Sequence, residues 1–475
     1  MKQPTLTTNS DFGEGFAQIR AEFEVPQEWS PEVQAELTQN YRANHERTNF
    51  THLDFITIDP EGSTDLDQAL YIETSDTGFT LYYAIADVAE FVSPGGAIDK
   101  HTRTQGVTFY SPDQRNGLHP PEISEDIASL LEGTTKPCVL WTIELDKDGL
   151  PADWNLARAT VKVSETYSYQ VAQELIDSGS GPGTLALLKT VGELRQTQEK
   201  LRGGVSIRLK SQEVTRTATG YRTEFETPLP VEGYNAQISL LTGMVAGRTL
   251  HENNMGILRT LPPAPDDVIS ELRQTAEALK LAWPDDTSYA DFVRSLNPET
   301  VSEVAFLNQA TAAFRGASYL NLATAQETQN KYLEHSAIAS LYAHVTAPLR
   351  RLVDRFNNEI LLSIFSESEL PEWITEDLES IPKAMNRAKS AGSALDRAMT
   401  NFVEVMVLED KIGEEFSATV INERFIGGDE VSVVQIEDGA IISEMPKLET
   451  PPGSATVVKL VAASRSERKL TFVKS

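Results

Sequence analysis

Cysteine and positive charge are both scarce in this sequence. One thiol in 475 residues, Cys138, excludes an internal disulfide and a thiolate metal cluster, and it fits a reducing compartment, with the cytoplasm as the expected location. Lysine and arginine number 41 against 70 aspartates and glutamates, a net charge of −29. Such an exterior does not hold polyanions nonspecifically, because that affinity comes from Lys and Arg on phosphates. Net charge is a whole-surface quantity, however, and a groove inside an acidic protein can be locally positive. No run of 18 apolar residues occurs, so no membrane-spanning helix is expected. The opening MKQPTLTTNSDFGEGF has no apolar core of the signal-peptide kind. Internal repeats and low-complexity tracts are absent. The 40% hydrophobic and 23% charged fractions are those of a soluble chain with material for at least two domains.

The most informative stretch is TIDPEGSTDLDQAL, residues 57 to 70, which places Asp59, Asp65 and Asp67 on a short loop between strand-like runs. Like charges a few Å apart are costly, so a fold tolerates them when something positive sits among them. Oxygen ligands without His or Cys suit a hard divalent cation. A calcium loop is excluded by spacing: counting from Asp59, the sixth position is Thr64 rather than Gly, and the twelfth is Leu70 rather than Glu. A solvated turn is the plain alternative, since Pro60, Gly62, Ser63 and Thr64 are turn formers. The three aspartates alone leave the two readings even.

Along the chain, residues 1–50 are polar with one helical stretch at 31–46. Strand-like runs with turns fill 51–165, clearest in TLYYAIADVAEFV and VLWTIELDKDGLP. Helical periodicity follows in YQVAQELI, ISLLTGMVAGRTLHE and VISELRQTAEALKL, the last opened by LPPAPDD with Asp266 or Asp267 as cap. Further helices are expected over 301–315, 338–364 and 380–410. From Gly413 five short alternating strands, separated by GGD, DG and TPPG turns, suit an OB-type barrel that binds single-stranded nucleic acid, or any small β end-domain. This segment is itself acidic, which weighs against the nucleic-acid reading.

Several blocks in order resemble one family, the ribonuclease II or RNB-domain exoribonucleases. They are the aspartate motif, AIADVAEFVSPGGAID at 84–99, Tyr110 with Pro112, LHPPEIS, and YAHVTAPLRRLVD at 342–354, followed by the barrel-like end. The resemblance covers most of the chain from about residue 45. It implies an α+β fold: a catalytic RNB-type domain over 51–412, with a β-sheet core flanked by helices, preceded by a short helical segment (1–50) and followed by an OB-fold RNA-binding barrel (413–475). It also implies a cytoplasmic, monomeric enzyme without a membrane role. Its reaction is hydrolysis of single-stranded RNA from the 3′ end to nucleoside 5′-monophosphates, with Mg²⁺ (or Mn²⁺) as cofactor.

Carried over by position, the metal ligands fall on Asp59, Asp65 and Asp67. The catalytic group is Asp65, Asp67 and Arg350, and RNA contacts fall on Tyr110, Arg351, His344 and Gln68. A second tyrosine is Tyr167 or Tyr169. Gln68 stands where the family often has a fourth aspartate, and it brings hydrogen bonds but no charge. Ala84 replaces a frequent histidine, QISLLTGMVAG lacks the usual glutamates, and residues 1–50 are too few for the two cold-shock barrels of the best-known relatives. Arg350 suits phosphate because its planar fork engages two oxygens and never deprotonates. The plain alternative is a helix-surface ion pair with Asp354 at i,i+4. Pro348 just before it suggests a helix start, in the first turn, where the positive end-field favours phosphate. Arg351 and Arg355 are read equally as backbone contacts or solvated charges. His344 is more often a hydrogen-bonded scaffold residue, Tyr110 is equally at home in a core, and Asp87 reads as buried support. A phosphatase on small phosphoesters and a catalytically dead RNA-binding protein are the rival functions.

Overall fold

FITID is apolar along most of its length and buried along most of it, as a central strand must be: Phe55, Ile56, Thr57 and Ile58 lie in the core. The computed structural model describes residues 9–207, 211–218, 220–297, 300–325, 332–436 and 441–475. Phe55–Asp59 runs parallel to the end of Pro151–Ser168, with Asp59 opposite Ser168, and antiparallel to Gln68–Thr74. Gln68–Thr74 pairs with Gly78–Ala86, which pairs with Thr135–Asp146. The pairings close on themselves, because Pro151–Ser168 bonds Thr135–Asp146 along its first part and Phe55–Asp59 along its last. Trp141, Tyr83 and Leu81 fill the interior of this curved sheet. Helices Gly183–Arg202, Pro230–Glu252 and Leu352–Phe365 pack around it.

The C-terminal five strands form as expected, in one antiparallel sheet ordered Ile441–Pro446, Asp429–Ile436, Glu415–Ile426, Ala455–Ser464, Lys469–Lys474. The sheet curls until its two edge strands approach one another, closing over Phe416, Val434, Leu460 and Phe472. The Asp438–Gly439 turn lies outside the described residues.

The long helix Ile381–Leu408 is the spine that joins these parts, touching the N-terminal helix, the hairpin Ser211–Arg216/Tyr221–Glu226 and the C-terminal sheet. The N-terminal helix, Asn9–Glu22, was not expected from sequence. Its Phe12, Phe16 and Ile19 lie on one face against Phe402, Tyr221 and Val403. Its Gly15 allows the close approach, since a Cβ there would fall 2.0 Å from the Phe402 ring. The helix expected over 31–46 is confined to Pro31–Leu37, and Pro265 rather than either aspartate caps Asp266–Ala278.

The helix expected over 338–364 starts only at Leu352. The preceding chain is irregular yet buried, with Ala343, Val345, Ala347 and Leu349 in the core. Its amides are drawn elsewhere: Ala347 N–H donates to Asp354 at 2.8 Å and Leu349 N–H to Asp67 at 2.8 Å. Pro348 therefore sits in a turn before the helix, not in its first turn.

Candidate active site

Asp59 is the last residue of its strand. Pro60, which has no N–H, ends the ladder, and Gly62 turns the chain at φ +80°. The loop is tied to its surroundings before it re-enters the sheet. Ser129 Oγ donates to Thr64 O at 2.7 Å and accepts from Leu66 N at 2.9 Å. Asp67 then stands directly before the next strand, where Ala86 N–H bonds its carbonyl at 2.9 Å.

Two arginines sit among the three carboxylates. Arg350 Nε lies 3.5 Å from Asp67 Oδ2, with its side chain 47% exposed. Arg115 Nη1 pairs with Asp65 while its Nη2 reaches Glu125 at 2.6 Å. Asp59 accepts no hydrogen bond among the described residues. Burial, then the Asp65 charge, pushes the Asp59 carboxyl up to about 7 against the pull of Arg350. Burial pushes Asp67 up to about 8, although Arg350 and the Leu349 amide favour its ionised form. The donors are all oxygen, and burial holds two of them toward the neutral form despite Arg350. That is a set a hard divalent cation fits. A tighter grouping, His45, Asp87 and Glu90, is already filled: Arg47 Nη2 lies 2.8 Å from Asp87 and 2.7 Å from Glu90, and Arg158 bonds Asp87 as well. Asp87 is thus the buried support its sequence context indicated.

Tyr110 lies on the short hairpin Phe109–Tyr110/Arg115–Asn116, opposite Arg115, with its side chain 51% exposed. Its phenol is pushed up to about 12 by burial of the hydroxyl, then by Asp65. The N-terminal segment grips this hairpin: Arg20 holds Asp113 with both terminal nitrogens, at 2.5 and 3.1 Å, and Asn116 Nδ2 donates to Pro26 O at 2.9 Å. Of the two candidate tyrosines, Tyr169 is the one beside Asp59, which after burial is the main cause raising its phenol. Tyr167 lines an open cleft with Glu132 and Glu165. Tyr83, buried beneath, has its phenol raised by burial and then by Asp59.

Gln68 donates its amide to Thr346 O, joining the aspartate loop to the chain that carries Arg350. Arg351 and His344, expected at RNA, are instead turned inward. Arg351 forks onto Asp354 at 2.7 and 3.0 Å, so Asp354 is Arg351's partner and not that of Arg350. His344 Nδ1 meets the Tyr319 hydroxyl at 3.0 Å in a half-buried place, and burial holds its imidazole well below the usual range. Arg355 is neither a backbone contact nor solvated, being buried on Asp99 at 2.8 Å. Sequence reasoning missed Arg115, whose partner is 50 residues away, and the Arg20–Asp113 pair, whose partners are 93 apart.

An α+β fold that sets a carboxylate loop against a half-exposed arginine and an open aromatic ring defines a polar, cation-competent site. The RNB domain model matches residues 47–367, more than half of the chain, and the chain belongs to the RNB-domain family. It is 26% identical over 345 residues to Exoribonuclease 2 of Vibrio parahaemolyticus, covering 69% of this chain and 50% of that protein. It is 24% identical over 396 residues to Ribonuclease R of Mycoplasma genitalium, covering 79% of this chain and 54% of that protein. The chain thus spans about half the length of these relatives. The solved structure of M. genitalium RNase R with ribose-methylated single-stranded RNA superposes with TM-score 0.87 at 20% identity, over 100% of this chain and 79% of that one.

Proposed function

We propose that this protein is a 3′-to-5′ exoribonuclease that hydrolyses single-stranded RNA with a divalent cation, Mg²⁺ foremost and Mn²⁺ as substitute, and releases nucleoside 5′-monophosphates. The observation that carries the reading is Arg350, a half-exposed guanidinium held 3.5 Å from a buried carboxylate next to the open ring of Tyr110. Asp59, Asp67 and Asp65 would hold the cation, which when bound neutralises phosphoryl charge and lowers the pKa of a water. Arg350 turns its free donors to two phosphate oxygens and favours charge that grows there during cleavage. Tyr110 stacks the terminal base, and Tyr169 borders the site beside Asp59. Arg115 keeps Asp65 in place.

In this reading residues 51–412 form the catalytic unit, the described part of residues 1–50 braces it, and residues 413–475 are an OB-type barrel. Its described rings, Phe416 and Phe472, are buried, and Arg424, Lys447, Arg465 and Arg468 are engaged by glutamates. Lys459, Lys469 and Lys474 are left to meet RNA. We assign the protein to the cytoplasm as a monomer. A phosphatase acting on small phosphoesters would use the same carboxylates but leave Tyr110 and the barrel idle. The test is product analysis. RNA labelled at its 5′ end should shorten stepwise from the 3′ end and yield mononucleotides in Mg²⁺, and intact RNA after hours in Mg²⁺ and in Mn²⁺ overturns the reading.

A further inference from the structure

Buried arginines in this protein meet carboxylates almost throughout: Arg20 on Asp113, Arg47 on Asp87 and Glu90, Arg355 on Asp99, Arg351 on Asp354. Arg195 and the half-buried Arg202 have no ion pair among the described residues but donate to the carbonyls of Gly149 and Ile338 and lie near Glu199. Arg195, Arg202 and Arg355 also keep buried nitrogens without a partner, but Arg259 differs in that its side chain makes no hydrogen bond and no ion pair among the described residues. It lies on the strand Ile257–Thr260 with 8% exposure, and its guanidinium stacks 4.5 Å from the Tyr319 ring. Its Nη1 is buried with no hydrogen-bond partner, and no carboxylate pairs with it among the described residues. A desolvated cation without a counter-charge is costly, and in a chain of net charge −29 acidic partners are not in short supply.

The neighbours of Arg259 are a second cation and a neutral imidazole. Lys389 of the long helix is exposed and has no ion pair among the described residues. Its ammonium is held below the usual range by burial of its stem and then by Arg259. His335 also has a buried, unpartnered Nδ1, and burial with the Arg259 charge lowers its imidazole to about 4. Two cations and a neutral imidazole thus lie together, and among the described residues no carboxylate pairs with either cation. The place is next to the site. Arg259 N–H donates to Tyr342 O at 2.8 Å, and the Tyr342 phenol feels the charges of Arg351, Arg259 and Arg350 together. The helix carrying Lys389 packs on both Ser318–Asn321 and Phe109–Tyr110, so it spans from Tyr319 to the Tyr110 hairpin.

We infer that Arg259, Lys389 and His335 form a second phosphate subsite, which takes an internal phosphodiester of the RNA strand whose terminal phosphodiester lies at Arg350. The inference rests on the RNA reading above and adds to it a set of residues that neither the aspartate loop nor the Arg350 turn contains. Arginine stacked on an aromatic face keeps its planar edge free for two phosphate oxygens, and the lysine supplies a point charge at the rim.

The experiment is RNA binding by the full-length protein in EDTA, where turnover is off, with labelled oligonucleotides across a salt series. Lys389→Ala, at an exposed position, and Arg259→Gln should each weaken binding a few-fold, as for any one phosphate contact among the many that share the strand. The salt slope should also become shallower by about 0.7 per lost phosphate contact. Wild-type affinity and slope in Lys389→Ala, and in Arg259→Gln if its melting temperature is retained, would overturn the inference. Inorganic phosphate provides the second arm. If it binds the wild type and not the variants while RNA affinity is unchanged, the pocket serves a free anion and the RNA subsite is wrong. If the wild type itself binds no RNA, it is the functional reading that fails, and the subsite falls with it.

Discussion

Asp67 is held by two consecutive residues of a single turn: Leu349 N–H donates to Oδ1 at 2.8 Å, and Arg350 Nε stands 3.5 Å from Oδ2. The acidic and basic halves of the site are therefore fastened to each other through backbone as well as charge, and neither half is complete until the chain has folded. The same turn gives the Ala347 amide to Asp354, which in turn fixes Arg351. One stretch of irregular chain thus presents Arg350 outward by tying down what lies on either side of it.

Removing that outward charge separates chemistry from binding. Arg350→Ala should lower kcat by about 10²–10³, the usual cost of one preorganised donor, while RNA affinity changes only a few-fold because many contacts share the strand. Single-turnover kinetics beside equilibrium binding check this. Lost affinity with an unchanged single-turnover rate would make Arg350 an RNA anchor instead.

The two raised carboxyls set a pH dependence. Asp59 and Asp67 hold protons up to about 7 and about 8 in the folded, metal-free protein, whereas an unfolded chain releases them near 4. Their contribution to stability is thus fully present below about pH 4 and is lost as pH rises through 7 to 8. A cation takes only the ionised forms, so its affinity should climb by up to about tenfold per pH unit per released proton and level off above about pH 8. The rise in melting temperature on adding Mg²⁺ should accordingly be larger at pH 8 than at pH 6. A shift independent of pH would mean that these two carboxyls are not the ligands.

The N-terminal brace is testable away from the carboxylates. Arg20 is buried and forks onto Asp113, two residues before Arg115 and three after Tyr110. Arg20→Ala leaves that carboxylate partly buried and unpaired, at a cost of about 1–3 kcal/mol. With the hairpin loosened, KM for RNA should rise more than kcat falls if Tyr110 stacks on the strand as proposed. Thermal denaturation and steady-state kinetics report the two effects, and an unchanged KM would reduce the pair to simple structural support.

Much of this was legible in the sequence where neighbours in chain are neighbours in space. The apolar, strand-like runs around Asp59 and Asp67, the five C-terminal strands and the long helix Ile381–Leu408 all follow local sequence pattern. The stretch before Leu352 misleads because its apolar residues are buried by surrounding structure and not by a helical face, and its amides answer to Asp67 and Asp354. Asn9–Glu22 is hidden by two glycines that count against a helix, one of which the Phe402 ring requires. The inward turns of Arg351 and His344 depend on Asp354 and Tyr319, and the Arg115 clamp on Asp65 spans 50 residues. Pairings of that kind leave no periodic trace.

The central claim is that the aspartate loop and Arg350 hydrolyse RNA with a cation held by Asp67. It is tested most directly by comparing wild type with Asp67→Asn on one end-labelled single-stranded RNA, with Mg²⁺ and with EDTA. Since burial already favours the neutral acid at Asp67, the asparagine is a close mimic of the metal-free state and should leave melting temperature and RNA binding nearly unchanged. The account predicts stepwise degradation by the wild type in Mg²⁺, none in EDTA, and at least a 10²-fold slower rate for Asp67→Asn in Mg²⁺. Near wild-type cleavage by Asp67→Asn, or equal cleavage with and without EDTA, would contradict it.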